Sequence, residues 1–119
     1  MSATPGSPIV LVLTTLAAEA DAPAFARTLI AEQLAACVSV LPPMISVYRW
    51  NGVIEQGREQ QLIIKTTAAQ VEALTARFRT LHPYELPEFV VVRPESAAPR
   101  YLAWVQESVS ARESDPGPT

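Results

Sequence analysis

His82 and Cys37 are the only histidine and the only cysteine in the 119-residue chain. An imidazole beside Tyr84, Glu85 and Glu88, just before Pro83, has the chemistry of a metal ligand or a proton-transfer group. It equally suits a residue at a helix end whose ring binds a backbone carbonyl. One histidine and one cysteine cannot close a tetrahedral metal site within one chain. Symmetric copies would change that count, so His82 and Cys37 stand as candidate metal ligands between subunits. The alternative for Cys37 is a small buried hydrophobe. A reactive thiol needs an electropositive, accessible setting, and no basic residue is its neighbour in sequence.

A second set comprises Trp50, Glu59, Lys65, Tyr84 and Glu88. Glu59 lies in a polar stretch, Glu55 to Gln61, which is either a solvated face or a pocket at a joint between subunits. Lys65 ends the apolar run LIIKT, where a lysine needs an anionic partner such as Glu59 or Glu88. These residues form either a structural ion pair or an inter-subunit pocket with aromatic walls, suited to a small anion or metabolite. Trp50 and Tyr48 also read as interface anchors, since aromatics dominate interface cores.

No catalytic constellation is visible. There is no G-x-S-x-G, no glycine-rich phosphate loop, no H-E-x-x-H and no clustered carboxylate pair. No cofactor-binding residue is assigned, and the chain is expected not to be an enzyme.

The elements that must position these groups follow from pattern. Ile9 to Thr15 (IVLVLTT) is apolar without alternation, as in a strand covered on both faces. Asp21 is an N-cap and Pro23 sits in the first turn of a helix over about 22–35, whose apolar face holds Phe25, Leu29, Ile30 and Leu34. From Cys37 to Thr66 runs a long hairpin. Its turn is Asn51-Gly52, because both residues accept the positive φ of a type I′ turn. Pro42-Pro43 cannot donate to a ladder, so the first arm is bent or lies at an edge there. Thr67-x-x-Gln70 resembles a capping box for a second helix. In that helix Val71, Leu74, Phe78 and Leu81 make one stripe, ended by His82-Pro83. Phe89 to Arg93 is another strand. Pro99 opens a last helix with Tyr101, Leu102, Val105 and Val109 on one face and Trp104 off it. Residues 9–110 form one domain, with 1–8 and 111–119 as flexible termini.

Composition limits the classes. A formal charge of −3 without a basic stripe argues against nucleic acid. No apolar run is long enough to span a bilayer, and the N-terminus lacks a signal peptide's basic region. A single cysteine fits a reducing cytoplasm.

The order is β-α-β-β-α-β plus a C-terminal helix, an α+β, ferredoxin-like sandwich with both main helices on one face of the sheet. The other face is apolar and bare, which marks an interface. The hairpin makes the same point. Its arms of about 13 residues reach about 40 Å, whereas a 100-residue domain has a radius of gyration near 13 Å. Its tip, with Tyr48, Trp50, Val53 and Ile54, needs a partner surface, and the natural partner is another copy of the chain.

LAACVSVLP, YRWNGVIEQGREQQLIIKTT, LHPYELPE and YLAWV resemble, in order, the CutA family of divalent-cation tolerance proteins, over about residues 9 to 110. The resemblance implies a tight homotrimer in which the long hairpins extend onto neighbouring subunits, and a cytoplasmic role in tolerance of metals, copper especially. A divalent metal ion such as copper is the cofactor it brings. The family's copper-ligand positions match Thr14, Leu81 and His82, of which only His82 is a good copper ligand. A second expectation is a trimeric small-ligand sensor with inter-subunit clefts, by analogy with trimeric nitrogen-regulatory proteins.

Overall fold

The computed structural model describes residues 6–110. The strand β1 (Ile9–Ala17) is followed by helix α1 (Ala22–Ala31), then β2 (Cys37–Val40), β3 (Met44–Trp50) and β4 (Val53–Thr67). A 3₁₀ turn (Ala68–Gln70) leads into α2 (Val71–Leu81), β5 (Val90–Val92) and α3 (Pro99–Ser108). All pairings are antiparallel. The sheet runs β2-β4-β1-β5, with β3 also paired to β4.

This is the expected α+β order, with one strand divided. Leu41 to Pro43 interrupts the first hairpin arm, because neither proline can donate to β4, and β2 and β3 lie end to end along the same partner. The turn is as predicted: Asn51 has φ 52° and Gly52 φ 80°.

One face of the sheet carries the core. Val12, Ile64 and Leu62 point toward α1 and α2, where they meet Leu29, Leu74, Ala22 and the Phe25 ring. Asp21 caps α1 by accepting from the Ala24 amide at 3.1 Å. α1 ends before the predicted residue 35: Glu32 is its C-cap, Gln33 turns at φ 60°, and Leu34 enters the core from beyond the helix. The capping box does not form. Thr67 makes no side-chain cap, and the Gln70 amide instead donates to the carbonyls of Gln33 (2.9 Å) and Val109 (3.1 Å). Those carbonyls lie just past the ends of α1 and α3, where backbone acceptors have no helical partner. Tyr101 does not join the buried face of α3; it is exposed and lies against Trp104, ring centroids 5.6 Å apart. The N-terminal boundary also moves. Ser7 is buried, its hydroxyl accepts from the Ala69 amide, and its carbonyl accepts from Gln106. The predicted flexible segment 111–119, and residues 1–5, lie outside the described residues.

The opposite sheet face presents Leu11, Leu13, Ile63, Val90 and Val92, with Val90 and Val92 49% and 38% exposed. Beyond Glu59 the hairpin leaves the sheet altogether: residues 53–58 of β4 pair only with β3. Ile45, Val47 and Ile54 there are all more than 60% exposed. The longest dimension is 51 Å and the radius of gyration 15.6 Å, above the roughly 13 Å of a compact domain of about 100 residues.

Candidate functional site

Glu59 marks the branch point of the fold. It is the residue of β4 that pairs both with β1, opposite Ala17, and with β3, opposite Met44. From here Glu59, Gly57 and Glu55 share a face with Ser46, Tyr48 and Trp50 of β3, because side chains alternate along a strand and these positions are in register. The loop after α2 covers that face. Between loop and hairpin lies an open cleft of about 760 Å³, lined by Thr15, Tyr48, Trp50, Glu59, Tyr84 and Glu88 among others.

His82 holds the loop in place. Its ring is buried, in contact with Phe25, Phe78 and Tyr84 at centroid distances of 6.0, 4.9 and 4.7 Å. The Tyr84 amide donates to Nδ1 at 3.1 Å, so Nδ1 must be the unprotonated nitrogen. Nε2–H then donates to the Thr15 carbonyl at 2.6 Å. This neutral tautomer joins α2's end to β1 and leaves no lone pair free. Tyr84, aimed by that anchor, donates its hydroxyl to Glu59 Oε2 at 3.0 Å, and Thr15 Oγ1 donates to the same oxygen at 3.2 Å. Burial first, and then the hydrogen bond to the Glu59 carboxylate, push the Tyr84 hydroxyl up to about 12. Glu88 is fixed by Gln61, whose amide donates to Glu88 Oε2 (3.0 Å) and to the Thr14 carbonyl (2.7 Å).

Four of the five residues expected in a pocket, Trp50, Glu59, Tyr84 and Glu88, line this cleft. Lys65 does not. It shares the face with Glu59, but six residues along an extended strand put it about 20 Å away. Its ammonium donates to Ser39 Oγ at 2.7 Å and lies 3.8 Å from Cys37 Sγ. Neither Glu59 nor Glu88 serves as its partner, which corrects the expected pairing; Ser39 and Cys37 face it because β2 lies beside that end of β4. Cys37, opposite Lys65 in the ladder, is half-buried and a free thiol. It therefore has a basic neighbour that sequence distance concealed. Without Lys65 the cleft lining holds four carboxylates, Glu55, Glu59, Glu85 and Glu88, against one guanidinium, Arg58.

The copper-ligand positions do not form a ligand set. His82 has both nitrogens engaged, Leu81 has no donor atom, and the Thr14 hydroxyl is buried without a partner on the core side of β1. Among the described residues no three His, Cys, Asp or Glu side chains converge as a metal site would require.

Sequence reasoning missed Gln60. It is buried, and its amide donates to the carbonyls of Ala17 (2.9 Å), Ala18 (3.3 Å) and Ala20 (3.1 Å), closing the turn between β1 and α1. The signal was strand parity: Gln60 shares its face with Leu62 and Ile64.

A ferredoxin-like sheet, bare on one face and extended by a long hairpin over an acidic cleft, is an architecture that hosts many chemistries rather than one. Comparison with known proteins narrows it. The model of the CutA1 divalent ion tolerance protein family matches residues 10–108. The divalent-cation tolerance protein CutA of Thermus thermophilus is 38% identical over 98 residues, covering 82% of this chain and 95% of that protein. Its counterpart in Citrobacter koseri is 40% identical over 100 residues, 84% of this chain and 87% of the relative. Among solved structures, Ehrlichia chaffeensis CutA1 superposes with a TM-score of 0.84 at 28% identity, over 90% of this chain and all of that one. Xylella fastidiosa CutA gives 0.81 at 41% identity, over 87% and 99%. The chain belongs to the CutA1 divalent ion tolerance family.

Proposed function

We propose that the chain serves tolerance of divalent metals, copper included, as a homotrimer in the cytoplasm that binds metal weakly between subunits, and that it is not an enzyme. The observation that carries the assembly is the hairpin beyond Glu59. A two-stranded ribbon with Ile45, Val47, Tyr48, Trp50, Val53 and Ile54 exposed is not stable alone in water. A neighbouring copy, with its own bare sheet face, supplies the missing cover. Sedimentation should give about three times the chain mass of 12.9 kDa; a stable monomer refutes the assembly. A deletion strain should regain growth in copper when the gene is returned, and no rescue refutes the tolerance role. One structural relative, from Archaeoglobus fulgidus, is described as periplasmic. Fractionation of this protein into the periplasm would overturn the cytoplasmic assignment.

Copper bound at sites between subunits has the weaker support, because His82 is committed within its own chain. Copper titration of the trimer decides it: saturable binding abolished by Cys37→Ser, or by His82→Ala with stability unchanged, is the positive result. The second reading, a small-ligand sensor, is favoured by the cleft itself, whose volume lies in the range of small-molecule sites. A thermal-shift screen of anionic, neutral and cationic metabolites tests it, and silence across all three refutes it.

A further inference from the structure

Resting on the reading of the chain as a trimer built through its hairpins, we propose that Thr15, His82, Tyr84 and Glu59 form a brace that fixes the direction of the ribbon in the free subunit and so prepares it for assembly. Glu59 is where the ribbon parts from the sheet, since residues 53–58 of β4 pair only with β3. A two-stranded ribbon has little stability alone in water, and with nothing at its root it would swing about this point. A ribbon that must find its direction on meeting a neighbour loses affinity in proportion to the time it points elsewhere.

The hydrogen bonds at the root close a circuit. His82 Nε2–H donates to the Thr15 carbonyl at 2.6 Å, and the Tyr84 amide donates to His82 Nδ1 at 3.1 Å. The Tyr84 hydroxyl donates to Glu59 Oε2 at 3.0 Å. Thr15 Oγ1 donates to the same oxygen at 3.2 Å, which returns to the starting residue. Three elements meet here: β1, the end of α2 with its loop, and β4 at the root of the ribbon. A second tie lies beside the first. Gln61 of β4 donates to Glu88 Oε2 and to the Thr14 carbonyl, so the loop is fastened at both ends. The fastened loop stands as a wall beside the ribbon, and Tyr84 and Leu86 line the same cleft as Tyr48 and Gly57.

Two features distinguish a brace from general packing. One carboxylate oxygen takes donors from two different elements, and hydrogen bonds to a charged acceptor are the strong ones. Burial and the Glu59 bond also push the Tyr84 hydroxyl up to about 12, so the donor keeps its proton throughout the neutral range. All four residues belong to one chain, and His82 is buried before any neighbour arrives. The brace is therefore a property of the subunit from which assembly starts.

The test measures affinity and dissociation separately on the full chain. Sedimentation equilibrium at a fixed urea concentration gives the half-assembly concentration. Exchange with isotope-labelled trimer, followed by native mass spectrometry, gives the dissociation rate. Tyr84→Phe removes the hydroxyl and keeps the ring. Loss of one hydrogen bond to a charged acceptor weakens the equilibrium it supports about tenfold. Three ribbons enter each trimer, so the half-assembly concentration should rise about thirtyfold, the square root of a roughly thousandfold loss. The exchange rate should stay unchanged, because the neighbour holds the ribbon once the trimer has formed. Glu59→Ala should weaken assembly at least as much, and Tyr84→Phe added to it should cost nothing further. Exchange that accelerates in step with the lost affinity overturns the proposal, because it makes Tyr84 an interface contact rather than a positioning residue. A parent that sediments as a monomer refutes the assembly itself, whereas a trimer indifferent to both substitutions refutes only the brace.

Discussion

His82→Ala separates a structural imidazole from a metal-binding one. The substitution removes two hydrogen bonds in a buried place, leaving the Thr15 carbonyl and the Tyr84 amide without partners. Each buried group so abandoned costs about 1–3 kcal/mol. The ring also loses its contacts with Phe78 and Tyr84, centroids 4.9 and 4.7 Å away, and an aromatic contact of this kind contributes about 0.5–1.5 kcal/mol. Allowing for water entering the space, the loss should be about 3 kcal/mol. At about 4–8 °C per kcal/mol for a domain near this size, the melting temperature should fall by more than 10 °C. Denaturation of parent and variant at one fixed protein concentration, in metal-free buffer, measures it, because assembly makes the midpoint concentration-dependent. His82→Gln, which can keep one donor and one acceptor, should fall between them. A loss below about 1 kcal/mol would refute the anchoring role, and loss of copper affinity with stability unchanged would establish His82 as a ligand.

Trp50→Ala should weaken assembly by about 2 kcal/mol or more if the ring is buried against a neighbour, seen as a lower trimer fraction on dilution in sedimentation. Burial, and then the hydrogen bond to Glu59, push the Tyr84 hydroxyl up to about 12 from the ordinary tyrosine value of 10.0. The neutral hydroxyl is therefore favoured by folding, and its stabilising contribution is present below pH 10 and lost as the pH rises toward 12. Tyrosinate absorbance should show one late-titrating tyrosine that Tyr84→Phe removes. Gly52→Val keeps open space around the new Cβ but forces a branched residue to φ 80°, which should cost about 1–2 kcal/mol, read by denaturation. Gln60→Leu strips the turn carbonyls of Ala17, Ala18 and Ala20 of their shared donor; a loss of about 2 kcal/mol is expected in the same assay, and faster hydrogen exchange of that turn should accompany it.

The sequence by itself determined whatever is written in local pattern. Asn51-Gly52 fixed the turn and hence the register of both arms, Asp21 fixed the start of α1, and the doubled proline fixed the break between β2 and β3. The two apolar faces of β1 announced a sheet in need of cover, because period-2 alternation fails only where both sides are dry. Only the tertiary structure decided which side chains share a place. Lys65 and Glu59 have the same parity and read as partners, yet a strand keeps residues six apart at a distance that no side chain spans, and the ladder delivered Lys65 to Cys37 and Ser39 instead. Gln70 left the local cap predicted for it because the ends of α1 and α3 converged there with free carbonyls. His82 became an anchor once the fold set the Thr15 carbonyl and the Tyr84 amide on either side of its ring. Hydrogen bonds and charges act over a few ångströms in space. The chain brings such groups that close only after its long strand has crossed the whole sheet.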